Sequence, residues 1–192
     1  MVADTLNEFF AEGVGKTLLV CLGNSLRSDD GVGPYLAEQL ESVPGICIEN
    51  AGDRPERAID FVSKYRPEKL VFLDAADFGG QPGVLRQIEP FELSELCLSS
   101  HRLPLAALID WIEAEYSTPC RCLGIQAGSM QLGEKLTPEV AQAAVQVVKW
   151  FERTAGNFDP ERSATETPEL GFFCSSEASL LAHHHAESDD QK

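Results

Sequence analysis

Three side chains in this sequence have types and surroundings suited to chemistry: Asp30, Asp74 and His101. Asp30 is the second of two adjacent acids in the polar stretch Gly23-Asn24-Ser25-Leu26-Arg27-Ser28-Asp29-Asp30-Gly31. Asp74 closes the apolar run Leu70 to Leu73, and His101 sits in the polar stretch Ser99-Ser100-His101-Arg102, ahead of Pro104. Two carboxylates and an imidazole are a hard-to-borderline donor set, suited to a divalent first-row metal with positions left open for another ligand. The same set could position and deprotonate a water. Each residue also has a plainer reading. Asp29 or Asp30 could simply cap the helix that follows, worth ~1 kcal/mol, and His101 could be solvated. Asp74 is harder to dismiss, because a carboxylate closing a buried strand is costly unless it is used or paired.

The elements around them must bring distant residues together. Leu18 to Leu22 is a short apolar run, as for a strand buried on both faces. Gly23-Asn24-Ser25 stops it, and Val32, Leu36 and Leu40 then recur at helical spacing. A second strand is expected over Ile46 to Asn50, a helix from Pro55 with Ala58, Val62 and Tyr65 inward, and a third strand over Lys69 to Ala75. Val84 to Ile88 alternates, as an edge strand would. Residues 91–97 suit a short helix, and Pro104 opens a helix with Leu105, Leu108, Ile109 and Ile112 on one face. A fifth strand, Arg121 to Ile125, is followed by a Gly-rich loop and a helix from Thr137 to about Arg153, with Thr137 as its N-cap. Strands alternating with helices predict an α/β fold: a three-layer, mostly parallel five-stranded sheet, helices on both faces, and one antiparallel strand at an edge. In such sheets ligands bind beyond the carboxyl ends of the strands. Asp30 and Asp74 would lie there, and His101 could join them.

Composition narrows the function. Asp and Glu number 31 against 15 Lys and Arg, a net charge of −16, so a basic footprint for nucleic acid or anionic lipid is missing. No apolar run approaches the ~20 residues of a membrane span, and Asp4, Glu8 and Glu12 argue against a secretory leader. The expected location is the cytoplasm, with Cys21, Cys47 and Cys122 as small core residues and the thiols free. Residues 1–16 read as an N-terminal extension and 17–154 as the α/β domain. Residues 155–192, with eight acids and two bases, read as an acidic, mostly disordered tail. His183-His184-His185 in that tail could catch nickel or zinc weakly. A dinucleotide site is disfavoured: GNSLRSDDGVG is not GxGxxG, and two carboxylates at a helix N-terminus would repel a pyrophosphate.

Taken together the motifs resemble a known family. Gly23 to Gly33 resembles the GNxLxxDDGxG signature of the [NiFe]-hydrogenase maturation endopeptidases. Leu73-Asp74-Ala75-Ala76-Asp77 resembles their second acidic motif, Ser100 to Leu105 their (S/T)HxxPL histidine motif, and Gly124-Ile125-Gln126 with the loop after it also fits. Arg54-Pro55-Glu56 resembles the branch serving formate-hydrogenlyase-type enzymes, although Asn50-Ala51-Gly52 departs from the more usual Asp-Gly-Gly. The resemblance covers about residues 17–153. It implies a peptidase that removes a C-terminal extension from the hydrogenase large-subunit precursor after nickel insertion. It implies that Asp30, Asp74 and His101 contact nickel carried by that precursor, with Asp30 or Asp74 as general base. It further implies that Asn24, Asn50 and Gly52 meet the substrate, and that the enzyme is a small monomer. Two other classes share some of these features: a nickel-binding chaperone that holds the precursor without cutting it, and a nucleotide-binding α/β enzyme.

Overall fold

Apolar runs with no polar alternation can only be satisfied by strands covered on both faces, and such runs assemble the sheet. The computed structural model describes residues 2–14, 16–40, 46–93, 105–133 and 135–155, with Pro90 and Ala155 as backbone only. The five strands are β1 (Thr17–Leu22), β2 (Cys47–Gly52), β3 (Lys69–Ala76), β4 (Leu85–Ile88) and β5 (Cys120–Gln126), in spatial order β2-β1-β3-β5-β4. β1 pairs in parallel with β2 and β3, and β3 in parallel with β5; β4 alone runs antiparallel, beside β5 at the edge. This is the sheet the sequence predicts. All six residues of β1 are buried, as its central place requires.

The helices are α1 (Val2–Phe9), α2 (Val32–Leu40), α3 (Ala58–Tyr65), α4 (Leu105–Tyr116) and α5 (Pro138–Ala155). Alternate residues along β1 and β3 feed two cores, as a period of two demands. Leu19, Cys21, Val71 and Leu73 pack under α1, α2 and α5. Leu18, Val20, Leu70 and Phe72 pack under α3 and α4. The chain leaves β1 through α2 on one face and reaches β3 through α3 on the other. The order therefore reverses between β1 and β3, the place where open α/β sheets form their binding crevice. β1 ends at Leu22, and β3 carries Asp74 two residues before its end at Ala76.

Three details differ from expectation. β2 continues to Gly52 rather than ending at Asn50, with a register shift opposite Cys21 and Leu22. A 3-10 turn, Pro90–Glu92, stands where a short helix over 91–97 is expected, and residues 94–97 lie outside the described residues. The N-terminal stretch contributes α1 to the core: Val2, Leu6 and Phe9 are buried, Phe10 stacks on Trp150, and the Trp150 indole donates to Asn7 Oδ1 at 2.8 Å.

Candidate active site

The loop after β1 is shaped by a glycine that no other residue could replace. Gly23 has φ +124°, and a Cβ there would stand 1.8 Å from the Asp30 carbonyl oxygen. The same Cβ position is 3.5 Å from Asp74 Oδ1. Gly23 therefore packs against the backbone of Asp30, with a carboxylate oxygen of Asp74 close by, at the β1–β3 switch. The loop is pinned there by backbone bonds: Gly23 N donates to Gly52 O at 2.9 Å and Asn24 N to Asp30 O at 3.0 Å. Gly33 sets the depth of the helix that follows, since a Cβ at Gly33 would meet the Leu22 carbonyl at 1.9 Å.

Both acids are withdrawn from water, Asp30 at 1% and Asp74 at 2% exposure. Asp74 Oδ1 accepts from Ala75 N at 2.8 Å, and Arg27 Nε stands 4.0 Å from Asp30 Oδ2. A carboxylate buried in a low dielectric is costly unless it is paired, protonated or used. The arrangement therefore suits holding a cation or taking a proton from a water.

Asp29 behaves differently from its neighbour. It does cap a helix, but α5 rather than the one that follows it in sequence. Its Oδ2 accepts from Gly128 N at 2.7 Å, Ser129 N at 2.9 Å and Thr137 Oγ1 at 2.9 Å, and its Oδ1 accepts from Thr137 N at 2.6 Å. Thr137 is the residue ahead of Pro138, as expected of an N-cap.

The residues assigned to substrate lie beside the two acids. Asn24 Oδ1 accepts from Leu26 N and Asn50 Oδ1 from Gly52 N, each at 2.9 Å, so both amides brace their own turns. Gly52 carries φ +61° and its carbonyl receives Gly23 N. Asn50, Ser25, Pro34, Tyr35 and Leu136 line an open groove of about 410 Å³. His101 and His183 to His185 lie outside the described residues. Among the described residues, no group of three His, Cys, Asp or Glu is placed to hold a metal ion. α4 enters at this end of the sheet: only residues 117–119 join it to the start of β5, so Tyr116 is at the opposite edge and Leu105 at the carboxyl edge.

Gln126 is a builder of the site that its position in a Gly-rich region conceals. Its Oε1 accepts from Phe78 N and Gly80 N at 2.9 and 3.0 Å, and its Nε2 donates to Asp77 Oδ1 and Ala127 O at 3.1 and 2.9 Å. One buried amide thus shapes the loop after Asp74, with all four of its hydrogen-bonding capacities used. The buried cysteines offer no nucleophile. Burial, with the Asp74 charge nearby, pushes the Cys21 thiol up, and burial does the same to Cys122.

Known proteins resemble this chain in sequence and in fold. Residues 32–154 match the family model described as hydrogenase maturation protease. The chain is 33% identical over 143 residues to the Hydrogenase 3 maturation protease of Escherichia coli K12, covering 73% of this chain and 91% of that one. The fold resembles the crystal structure of a [NiFe] hydrogenase maturation protease HycI from Thermococcus kodakarensis, with TM-score 0.69 and 26% identity over 79% of this chain and 99% of that one. It also resembles the solution structure of the endopeptidase HycI from Escherichia coli, with TM-score 0.63 and 32% identity over 71% and 89% of the two chains. A two-acid crevice at the β1–β3 switch, without a usable cysteine nucleophile among the described residues, on a fold shared with these peptidases, leads to one conclusion: the chain belongs to the hydrogenase maturation protease family.

Proposed function

We propose that this peptidase removes the C-terminal extension of a [NiFe]-hydrogenase large-subunit precursor once nickel has been inserted, and that the precursor's nickel is the recognition signal. The observation that carries the proposal is that two buried acids flank Gly23 at the switch point, Asp30 through its carbonyl and Asp74 through Oδ1. In this reading the nickel arrives as part of the substrate, still held by the precursor's own ligands. Asp30 and Asp74 face it, with His101 as third ligand from the stretch leading into α4. One of the two carboxylates takes the proton of the attacking water. The ion acts as a template that holds the scissile bond in register, and as a Lewis acid if the carbonyl reaches it. The free enzyme then binds nickel weakly, because three ligands leave its coordination incomplete. Asn50, which lines the groove with Ser25, meets the chain of the precursor together with Asn24 and Gly52. The enzyme works as a monomer in the cytoplasm; among the described residues, no helix is long and apolar enough to cross a membrane.

The test is the mass of the large subunit after incubation with this protein. Loss of a C-terminal segment by the wild type, abolished in the folded His101→Ala, Asp30→Ala and Asp74→Ala variants, supports the proposal. An unchanged mass with a stable complex points to a chaperone that does not cut. Full cleavage by any of the three variants removes that residue from the site.

A further inference from the structure

We propose that Asp29 is a positioning residue for processing: by clamping the loop between β5 and α5, it fixes where Asp30 stands beside Asp74. The proposal rests on the reading of Asp30 and Asp74 as the reacting pair. Asp29 and Asp30 are adjacent and both buried, at 0% and 1% exposure, and Asp29 turns its carboxylate to the β5–α5 loop. Four donors to the Asp29 carboxylate come from residues 128–137, about a hundred positions along the chain.

Backbone bonds reinforce the clamp. Asp29 N donates to Ser129 O at 3.0 Å, Ser28 N to Gly133 O at 2.5 Å and Gly133 N to Leu26 O at 2.9 Å, while Ser28 Oγ donates to Lys135 O at 2.9 Å. The turn that carries Asp30 is therefore stitched to that loop on one side. On the other side the Asp30 carbonyl is held by Asn24 N against Gly23. Asp30 is one peptide bond from the clamp, so a shift of Asp29 is passed on to it.

An amide cannot substitute for the carboxylate here. Asp29 is surrounded by donors, and the NH₂ of an asparagine would face one of them, leaving a buried donor without an acceptor. A misplacement of ~1 Å, even from a change away from the chemistry, can cost ~100-fold in rate.

The experiment measures kcat and KM for processing of a nickel-loaded large-subunit precursor, well below the melting temperature of each variant. Asp29→Asn is expected to lower kcat tenfold or more with KM within twofold of wild type. Thr137→Val, which keeps the shape and removes one donor, is expected to lower kcat two- to fivefold with KM again unchanged. Asp30→Asn serves as the control and is expected to be inactive. An inactive Asp30→Asn beside an Asp29→Asn that melts lower but keeps its kcat overturns the positioning role and leaves the site intact. A fully active Asp30→Asn overturns the site, and the positioning role with it. Where Asp29→Asn fails to fold, Thr137→Val decides by itself: a reduced kcat supports the role and an unchanged kcat overturns it.

Discussion

The carboxyl edge above β1 and β3 and the outer edge where α1 meets β4 and β5 both place charge in partly or wholly buried surroundings, and they do so in opposite ways. At the outer edge the charge is closed off. Arg121 donates to Phe9 O at 2.7 Å and to Gln87 Oε1 at 2.5 Å, and its guanidinium lies 3.9 Å from the centre of the Phe9 ring. Nearby, Arg86 and Glu92 form a two-pronged pair at 3.0 and 2.9 Å. Opposite charges and planar stacking leave such groups nothing further to bind. At the carboxyl edge three acids of the same sign are gathered, Asp29, Asp30 and Asp74, all buried. Asp29 is closed off by four donors, and the other two converge on Gly23. Burying acids of one sign in this way is costly unless they are paired or used. The outer edge closes its charges within the molecule; the carboxyl edge gathers buried acids of one sign at the switch point.

That contrast can be broken in steps of decreasing size. Replacing Asp30 or Asp74 by alanine is expected to lower processing by about 10²–10⁴-fold, the range for a positioned acid or base, while circular dichroism stays native. Gly23→Ala strikes the same place through the backbone. Its methyl would sit 1.8 Å from the Asp30 carbonyl, so a loss of stability on the order of 3 kcal/mol is expected in denaturant titrations, and processing falls with it. Arg121→Ala tests the other edge. It is expected to cost about 1–3 kcal/mol in denaturant titrations, yet to leave kcat per folded molecule at wild-type level well below the melting temperature. A large fall in kcat there would erase the division between the two edges.

The smallest effect is a pH dependence in the loop beyond Asp74. The Gln126 amide, then the Gly79 N–H, hold the Asp77 carboxyl below its ordinary value of 3.8. A depressed folded-state pKa contributes stability above the unfolded value, and that contribution is lost as pH falls through the folded one. Asp77 is exposed, so solvent screens the gain. Asp77→Asn should therefore melt slightly below wild type at pH 6, and the gap should narrow as pH falls below 3.8. A gap of constant size would show that the hydrogen bonds, rather than the charge, carry the difference.

Much of this was legible in the sequence, for physical reasons. Buried parallel strands tolerate no polar residue, so Leu18 to Leu22 and Leu70 to Leu73 announce themselves, and the first polar groups after them mark the crevice. β4 shows its edge place through Arg86 and Gln87, half-buried between the buried Leu85 and Ile88. The glycine pattern around the two acids is equally readable, because Gly23 and Gly33 each sit where a methyl would strike a carbonyl. The roles of Asp29 and Gln126 were not legible. Their partners lie 99 to 108 and 46 to 49 residues away, and nothing in local spacing tells a carboxylate that caps its own helix from one that caps a distant one. α1 did leave a signal, Val2, Leu6 and Phe9 at helical spacing, under the acids that mark the segment as polar.

The central claim is that Asp30 and Asp74 meet a metal that another protein delivers. The most direct measurement is the intact mass of the large-subunit precursor, with and without nickel, after incubation with wild-type protein and with Asp74→Asn. The account predicts trimming of the nickel-loaded precursor alone, and by wild type alone. Equal trimming of the nickel-free precursor, or full trimming by Asp74→Asn, would contradict it.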